Sequence, residues 1–291
     1  MAPLPVLAVL GATSRMARDF APLMRGKAEL KLFARGSEAL PYTEFPGGAY
    51  DAVINFVGVG DPSRAKSMGD EILSVTRQYD EMALDYQARH PGTRYIFLSS
   101  GAAYGGDFRE PARDGGETVV AADAPQNYYG AAKQQAEMRH RARPERTIFD
   151  LRVFNYVSRA MDLSAPFLLS DMIRCARDGS VFRTSDRPMA RDFLHPADFT
   201  QLVERCLTAD GNSALDCYSQ APIIKHELLE LMASRFGMTY EIAPTPPAVN
   251  ITGEKPLYYS DSRRAAALGY VPAYSSRNAI AEEVAAILAG S

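Results

Sequence analysis

The chain has no tryptophan, and it contains only three cysteines and four histidines among its 291 residues. The cysteines, Cys175, Cys206 and Cys217, are odd in number and widely spaced. This spacing argues against a disulfide framework and predicts buried thiols in a reducing compartment. The histidines show no spacing typical of metal ligands, so we expect no bound metal.

The sequence also lacks a strong charge excess and a long hydrophobic run. The net charge of −3 gives no reason to expect a nucleic-acid partner. No apolar run reaches the roughly 18 residues that a membrane span needs. The N-terminus shows neither the basic start nor the cleavage site of a signal peptide, so we expect a cytoplasmic protein. The length allows one large α/β domain, or a core domain with a small lobe.

The first structural pattern is a strand, a turn and a helix. Val6–Leu10 is a short apolar run, typical of a buried parallel strand, and a helical stretch from Arg18 to Met24 follows the turn. Such a turn at a helix N-terminus favours a phosphate group. The candidate cofactor contacts are Gly11, Thr13, Ser14, Arg15, Met16 and Ala17.

The turn departs from the usual dinucleotide fingerprint, which has three glycines. Gly11 keeps the first position, Ala17 takes the last, and Ser14 takes the middle one. Ala17 suits close helix packing, and the Ser14 hydroxyl is itself able to bind phosphate. An ordinary strand–helix turn explains the same residues about equally well.

The second predicted strand, Leu30–Ser37, carries Arg35 near its end. An NAD site tends to have an acidic residue there, whereas a guanidinium suits the 2′-phosphate of NADP. We therefore expect NADP, with NAD as the alternative if Arg35 only covers the adenine. Only fifteen residues separate Arg35 from Asp51, so this corner of the sheet should be trimmed.

The middle of the chain supplies two more strands of the predicted sheet. Asp51–Val57 is apolar and runs into a glycine turn, Gly58–Gly60, so Val57 and Gly58 are candidate cofactor contacts. A long amphipathic helix over Asp70–Arg89 precedes the next strand, which ends at Ser100. The carboxyl ends of strands in open α/β sheets bind ligands. The stretch from Gly105 to Asn127 should be a loop near the site.

Tyr129 and Lys133 stand four residues apart in a segment of helical composition, which places both side chains on one helix face. A lysine cation beside a phenol lowers the pKa of the phenol. With Ser100, this pair would form a proton-transfer site. Taken alone, the pair is more often just a solvated helix face.

Five motifs in this order resemble the extended short-chain dehydrogenase/reductase family, the nucleotide-sugar epimerases, dehydratases and reductases. The motifs are Ser99–Gly105, Tyr129–Lys133, Leu151–Asn155, Arg191–Asp198 and, loosely, Ala265–Pro272. The resemblance spans nearly the whole chain. It implies a Rossmann-type doubly wound parallel sheet with a smaller C-terminal α/β substrate lobe.

The resemblance also implies a role for each matching residue. Tyr129 would be the general acid and base, Lys133 would bind the nicotinamide ribose, and Ser100 would orient the substrate. Arg191 would contact the substrate's diphosphate, while Asn155 and Tyr258 would be further substrate-binding residues. The alternatives are a structural Arg191–Asp192 ion pair and, for Asn155, a turn cap at the end of its strand.

Two departures from the family's pattern limit the function. The stretch from Ile251 to Asp261 lacks the second diphosphate arginine, for which Lys255 is a possible substitute. Gly101 and Ala102 stand where sugar 4,6-dehydratases have Asp-Glu, which argues against dehydration.

Three functional hypotheses remain. The first is NADPH-dependent reduction of a 4-keto group on a nucleotide-activated deoxysugar. The second is a nucleotide-sugar 4-epimerase with tightly held NAD. The third is a non-catalytic, cofactor-binding regulatory member of the fold, against which the intact Ser100, Tyr129 and Lys133 count.

The resemblance suggests a division into two parts. We expect a dinucleotide-binding domain over residues 1–161 and about 187–215, and a substrate lobe over about 162–186 and 216–291. Members of the family often dimerise through two helices per subunit. The stripes of Asp70–Arg89 and Tyr129–Arg141 would permit a homodimer, although they are at least as likely to face only their own sheet.

Overall fold

A computed structural model describes residues 3–36, 38–59, 65, 67–243 and 255–290. Three parts of the sequence predictions lie outside the described residues: Ser37, Gly60 and the segment 251–254.

The centre of the fold is a six-stranded sheet in which all neighbouring strands are parallel. Its strands are β1 (Val6–Leu10), β2 (Glu29–Phe33), β3 (Ala52–Asn55), β4 (Arg94–Ser100), β5 (Ile148–Val153) and β10 (Asn212–Cys217). Their order across the sheet is β10-β5-β4-β3-β1-β2. Because the strands are parallel, all their carboxyl ends meet at one edge. The predicted Rossmann-type sheet is confirmed.

Helices cover both faces of this sheet. The covering helices are α1 (Arg15–Leu23), α2 (Glu71–Arg89), α3 (Tyr128–Arg141) and α5 (Pro196–Thr208). On one face, Phe20 of α1 and Phe199 of α5 pack against the buried side chains of the strands. On the other face, Tyr86 of α2 and Ala136 of α3 do the same. This is the doubly wound arrangement.

The corner between β2 and β3 is short, as the fifteen-residue spacing predicts. A single 3₁₀ helix, Tyr42–Gly47, replaces a strand–helix crossover. The side chain of Phe45 is fully buried and stacks against Tyr50 at 5.5 Å, which fills the space that a longer crossover would occupy. The strand before it, β2, already ends at Phe33, so Arg35 lies beyond the strand.

A second hydrophobic core lies in the C-terminal part. The helices α4 (Leu168–Asp178), α6 (Lys225–Phe236) and α7 (Ser276–Ala289) supply most of its buried side chains. Short strands join it to the sheet: β6 (Asn155–Tyr156), β7 (Phe182–Thr184), β8 (Ala190–Arg191), β9 (Phe193–Leu194), β11 (Ile223–Ile224), β12 (Tyr240–Ile242) and β13 (Leu257–Tyr258). Ala265 and Tyr270 pack instead on the core of the central sheet. The domain boundaries stay a prediction.

The thiols of Cys175, Cys206 and Cys217 are all free. Burial raises the pKa of Cys206 and Cys217. Within the described ranges, each helix is too short or too polar to cross a lipid bilayer.

Candidate active site

The predicted cofactor residues lie at the carboxyl edge of the sheet, where the β1 turn meets the end of β3. Gly11 has a φ of +75°, and a Cβ at this position would lie 2.8 Å from the backbone nitrogen of Val57. Such a distance is a steric clash, and the left-handed conformation also favours glycine. Gly11 therefore brings the turn and the Val57–Gly58 segment into direct contact.

The start of α1 offers an anion site. The Ser14 hydroxyl accepts the Ala17 amide at 3.3 Å and so caps the helix, which is a different use from the phosphate contact that the sequence suggests. The amides of Arg15 and Met16, in the first turn, have no partner inside the helix. Together with the helix dipole they suit a diphosphate. Thr13 is exposed at the tip of the turn. These residues fit a dinucleotide.

The end of β2 is the part of the fold where residues selective for NAD or for NADP would lie. Arg35 is exposed there and follows the buried Ala34, which occupies the position where an acidic residue would favour NAD. The guanidinium of Arg35 lies near the phenol of Tyr42. That phenol accepts a hydrogen bond from the Gly11 amide at 3.1 Å. The sequence interpretation overlooked Glu38, whose carboxylate lies 3.5 Å from the guanidinium of Arg18 on α1.

Glycine also brings the catalytic candidates together. A Cβ on Gly130 would lie 2.8 Å from the carbonyl oxygen of Ala102, so the start of α3 sits directly on the 3₁₀ helix Gly101–Tyr104. Ser100 is buried at the end of β4, and its hydroxyl accepts the amide of Ala102 at 3.2 Å. Across this contact the Ser100 hydroxyl lies close enough to the phenol of Tyr129 to lower the pKa of that phenol.

The pKa of Tyr129 shifts in the direction opposite to the sequence prediction. Burial raises the pKa of Tyr129, and the hydrogen bond from Ser100 only partly opposes this. The predicted lowering by Lys133 is wrong here, because Lys133 Nζ donates to the carbonyl of Leu98 at 2.7 Å. Its ammonium is 5.9 Å from the centroid of the Tyr129 ring.

Lys133 nevertheless faces the expected cofactor position. A Cβ on Gly58 would lie 3.2 Å from its Nζ, so the lysine closes the gap between α3 and the end of β3. Burial lowers the pKa of Lys133 to about 8, against the opposing effect of carboxylates that include Asp80.

A cluster of aromatic side chains forms the other wall of the site. Tyr258 of β13 places its Oη 3.4 Å from Ser100 Oγ, although the two residues are 158 positions apart in the chain. Phe108 and Phe154 pack edge-on against the Tyr258 ring, with centroid separations of 4.8 and 5.1 Å. The sequence analysis did not identify Phe108. It lies in the loop after Gly105–Gly106, and its φ of +53° is seen only in the structure.

Two cations lie beside this aromatic cluster. The guanidinium of Arg191 is 6.0 Å from the Tyr258 ring centroid, and the ammonium of Lys255 is 4.8 Å from it. Burial lowers the pKa of Arg191 to about 10 and that of Lys255 to about 8. Arg191 Nη1 donates only to the carbonyls of Ala190 and Pro256. Among the described residues, no carboxylate pairs with either cation.

Asn155 and Asp192 both make structural hydrogen bonds. Asn155 Nδ2 donates to the carbonyl of Asp192 at 3.0 Å, which ties β6 to β9 in the way that a structural cap would. The carboxylate of Asp192 accepts from the amide of Ser219 and the hydroxyl of Ser276. Arg191 and Asp192 therefore do not form an ion pair.

A cavity of about 330 Å³ opens beside the catalytic candidates. Tyr129, Phe108 and Lys255 line it, together with the loop residues Gln126 and Asn127. The cavity therefore has both the Tyr129 phenol and the Lys255 ammonium in its lining.

His195, Glu282 and Glu283 form a separate group, with candidate ligand atoms within 4.8 Å of one another. His195 Nδ1 accepts the amide of Ala197 at 3.1 Å, so a neutral imidazole carries its proton on Nε2. Nε2 faces Glu283 at 3.3 Å, and Arg159 also pairs with that carboxylate. The carboxylate of Glu283 is thus already paired with a cation, Arg159.

This geometry defines a candidate site for proton transfer. The residues around Gly11 and Lys133 would hold a nicotinamide cofactor, which would supply the hydride chemistry. Tyr129 and Ser100 are the groups of the site that are able to exchange a proton with an alcohol oxygen.

Comparisons with known proteins agree with this class of site. The profile of the NAD dependent epimerase/dehydratase family matches residues 43–215, which is more than half of the chain. The chain therefore belongs to this family, and it is an NAD(P)-dependent enzyme of the extended short-chain dehydrogenase/reductase type. No curated protein sequence gives a significant match.

Several solved structures share the fold over nearly their whole length. UDP-glucose 4-epimerase from Thermotoga maritima with UDP-glucose has a TM-score of 0.81 at 15% identity. The alignment covers 98% of this chain and 99% of the epimerase chain. UDP-glucose 4-epimerase from Thermus thermophilus in complex with NAD has a TM-score of 0.78 at 15% identity, with coverages of 98% and 99%. RMD from Pseudomonas aeruginosa complexed with NADPH has a TM-score of 0.76 at 19% identity, with coverages of 99% and 99%. These identities establish the shared fold.

Proposed function

We propose that the protein uses NADPH to reduce a 4-keto group on a nucleotide-activated deoxysugar, with Tyr129 as the proton donor. The observation that carries this proposal is the contact between Ser100 and Tyr129 at the carboxyl edge of the sheet, with Lys133 beside it. A ketone gains a hydride at carbon and a proton at oxygen, and this set of groups is suited to deliver the proton.

The protonation state of Tyr129 favours reduction as the direction of the reaction. Burial raises the pKa of Tyr129, so the phenol is protonated at neutral pH and ready to donate. The proton is lost to the substrate oxygen, and Ser100 stabilises the phenolate that is left. The cation of Lys133 next to the expected nicotinamide ribose provides further stabilisation.

The two unpaired cations support a diphosphate substrate. Arg191 and Lys255 are half-buried, and no carboxylate of the described residues compensates their charge. Desolvated charges of this kind are costly unless a counterion binds. A diphosphate offers the required negative charge and several acceptor oxygens. Lys255 would take the place of the arginine that the sequence lacks.

The choice of NADPH rests on Arg35, because Ala34 occupies the position at the end of β2 where an acidic residue would favour NAD. The structure of RMD with NADPH shows that a protein of this fold binds this cofactor. The second candidate function is a 4-epimerase with retained NAD. The family includes NAD-dependent epimerases, which favours this candidate. The carboxylate of Glu38 near the end of β2 also favours it, because an acidic residue there suits NAD.

One experiment separates these functions. Purified protein is mixed with NADPH and a uridine or thymidine diphosphate 4-keto-6-deoxyhexose, and the absorbance of NADPH is followed. In a parallel reaction with NAD, UDP-glucose is incubated and the products are analysed for UDP-galactose. Oxidation of NADPH supports the reductase proposal. Formation of UDP-galactose contradicts that proposal and supports the epimerase.

Two variants serve as controls. Tyr129→Phe should abolish either activity, because it removes the proton donor and keeps the ring. Tyr128→Phe removes a neighbouring phenol on the same helix and should leave turnover within about twofold, as for a change outside the site. If neither reaction occurs with the wild-type protein, these substrates are wrong and the non-catalytic hypothesis gains weight.

A further inference from the structure

Two tyrosines from distant parts of the chain converge on one serine. Tyr129 comes from α3, and the Ser100 hydroxyl lies close enough to its phenol to lower the pKa of that phenol. Tyr258 comes from β13, and its Oη lies 3.4 Å from Ser100 Oγ. This separation is long for an O–H···O hydrogen bond, as catalytic contacts often are before substrate binds. The serine thus has a phenol on each of two sides.

The hydrogen-bonding capacity of Ser100 restricts what these phenols can do. A serine hydroxyl has one donor hydrogen and two acceptor lone pairs. The amide of Ala102 donates to Ser100 Oγ at 3.2 Å and occupies one lone pair. One lone pair and one hydrogen remain. For both phenols to bond to Ser100, one must donate to it and the other must accept from it.

Tyr258 is the phenol left to donate to Ser100, because the proposed reaction needs the hydrogen of Tyr129 for the substrate oxygen. Burial raises the pKa of Tyr258, so its phenol keeps its hydrogen over the whole working range of pH. Phe108 and Phe154 pack against its ring at 78° and 62°, which holds the ring in place. Ser100 is the side chain whose oxygen lies within reach of its hydroxyl.

We propose that Tyr258 is a positioning residue, which donates its phenol hydrogen to Ser100 Oγ and thereby turns the Ser100 hydroxyl hydrogen towards Tyr129 and the substrate oxygen. With both lone pairs occupied, Ser100 has only one direction left for its own hydrogen. A donor fixed in advance stabilises the negative charge that develops on Tyr129 as it releases its proton. Hydrogen bonds that share one hydroxyl also strengthen each other.

This role rests on the proposed assignment of Tyr129 as the proton donor, but its test needs no substrate. The protein is prepared with 3,5-difluorotyrosine at position 129, because this phenol is more acidic than that of tyrosine and titrates while the protein is folded. Its ionisation is followed by ¹⁹F NMR in the full-length protein. Failure to turn over 4-keto sugars would not affect this measurement, so the two proposals fail independently.

The expected result is a shift in the titration of position 129. Tyr258→Phe keeps the ring against Phe108 and removes only the donor, and it should raise the pKa at position 129 by about half a unit or more, the value of a modest hydrogen bond. Ser100→Ala should raise it as well. In the Ser100→Ala background, Tyr258→Phe should add no further shift, because Tyr258 acts through Ser100.

Two controls separate positioning from packing. Tyr259→Phe removes the adjacent phenol, which has no contact with Ser100, and it should cause no shift. Replacing Tyr258 by 4-aminophenylalanine restores an N–H donor on the same ring, and it should return the titration towards the wild-type value. The proposal is overturned if Tyr258→Phe leaves the titration unchanged, or if its shift persists without Ser100.

Discussion

Gly101 and Phe154 are in such close contact that a Cβ on Gly101 would lie 2.4 Å from Cδ1 of the Phe154 ring. Real side chains do not tolerate this distance, so the backbone after Ser100 accepts only glycine while the ring stays in place. The dehydratases that the sequence resembles have a carboxylate at this position. In this chain the aromatic ring occupies the space that such a carboxylate would need.

This contact predicts the effect of a single methyl group. Gly101→Ala should destabilise the protein by about 1–3 kcal/mol, as overpacking of a filled site does. Chemical denaturation measures the change, and Gly92→Ala, where nothing lies within 4 Å of a new Cβ, is the matched control. Equal effects of the two substitutions would show that the ring moves aside freely.

The unpaired cations predict how the protein binds a free nucleoside diphosphate. Arg191→Ala and Lys255→Ala should each weaken UDP binding by about tenfold or more, since hydrogen bonds to charged groups contribute most to such sites. Calorimetry at pH 7 measures the affinity. Arg183→Ala is the control, because this exposed arginine of β7 already pairs with Glu241 at 3.0 Å. Unchanged binding in both site variants would place the diphosphate elsewhere.

Arg35 predicts the cofactor preference. Arg35→Ala should weaken NADPH binding by about ten- to a hundredfold and leave NADH binding nearly unchanged, because the lost guanidinium contacts only the 2′-phosphate. Fluorescence titration with each cofactor measures this. Arg25→Ala, an exposed arginine beyond the C-terminal end of α1, should change neither affinity. Equal losses for both cofactors would indicate that Arg35 stacks on the adenine.

Lys133 predicts a pH dependence of cofactor binding. Because burial lowers its pKa to about 8, the side chain is a cation below pH 8 and becomes neutral above it. The affinity for NADPH should therefore fall as the pH rises from about 7 to about 9.5. Lys133→Met should bind more weakly and lose most of this dependence. A control, Lys27→Met, changes a surface pair with Glu204 at the opposite edge of the sheet and should keep the dependence.

His140 predicts a pH dependence of stability. Its two ring nitrogens lie 2.6 Å from the carboxylates of Asp80 and Asp150, and these carboxylates raise the pKa of the buried imidazole to about 9. When folding raises the pKa of a group, the protonated group stabilises the folded protein. The full stabilisation is present at pH values below the pKa that the group has in the unfolded chain. This stabilisation is lost between roughly pH 6.5 and pH 9.

His140→Gln should test this network directly. At pH 6 it should cost about 2–3 kcal/mol in the free energy of unfolding, because two buried carboxylates lose a charged hydrogen-bond donor and keep only Arg139 and Arg141 as cationic partners. The difference from wild type should shrink towards pH 9. Comparing the two proteins at each pH cancels the titration of other groups, including Lys133. His226→Gln, at an exposed position of α6, should show no such trend.

The sequence predicted β1, β3 and β4 of the central sheet because each is an apolar run that leads into a turn of small residues, whereas the edge strand β10 has no such run and was not predicted. Val6–Leu10 was predicted with the bounds that the structure shows, and the short segment before Asp51 correctly indicated a trimmed corner. Helix periodicity placed α2 to within one residue. These features follow from local patterns of burial, which one chain records directly.

The sequence by itself also determined which chemistry is present, since Ser100, Tyr129 and Lys133 are fixed by their residue types and spacing. Only the tertiary structure decided how these groups are charged and what surrounds them. The pKa of Tyr129 depends on burial, and burial depends on residues far away in the chain. Tyr258 and Phe108 reach Ser100 because β13 and the loop after Gly105–Gly106 fold back over it. Long-range contacts of this kind leave no periodic pattern in a sequence, because the residues they join have no fixed spacing.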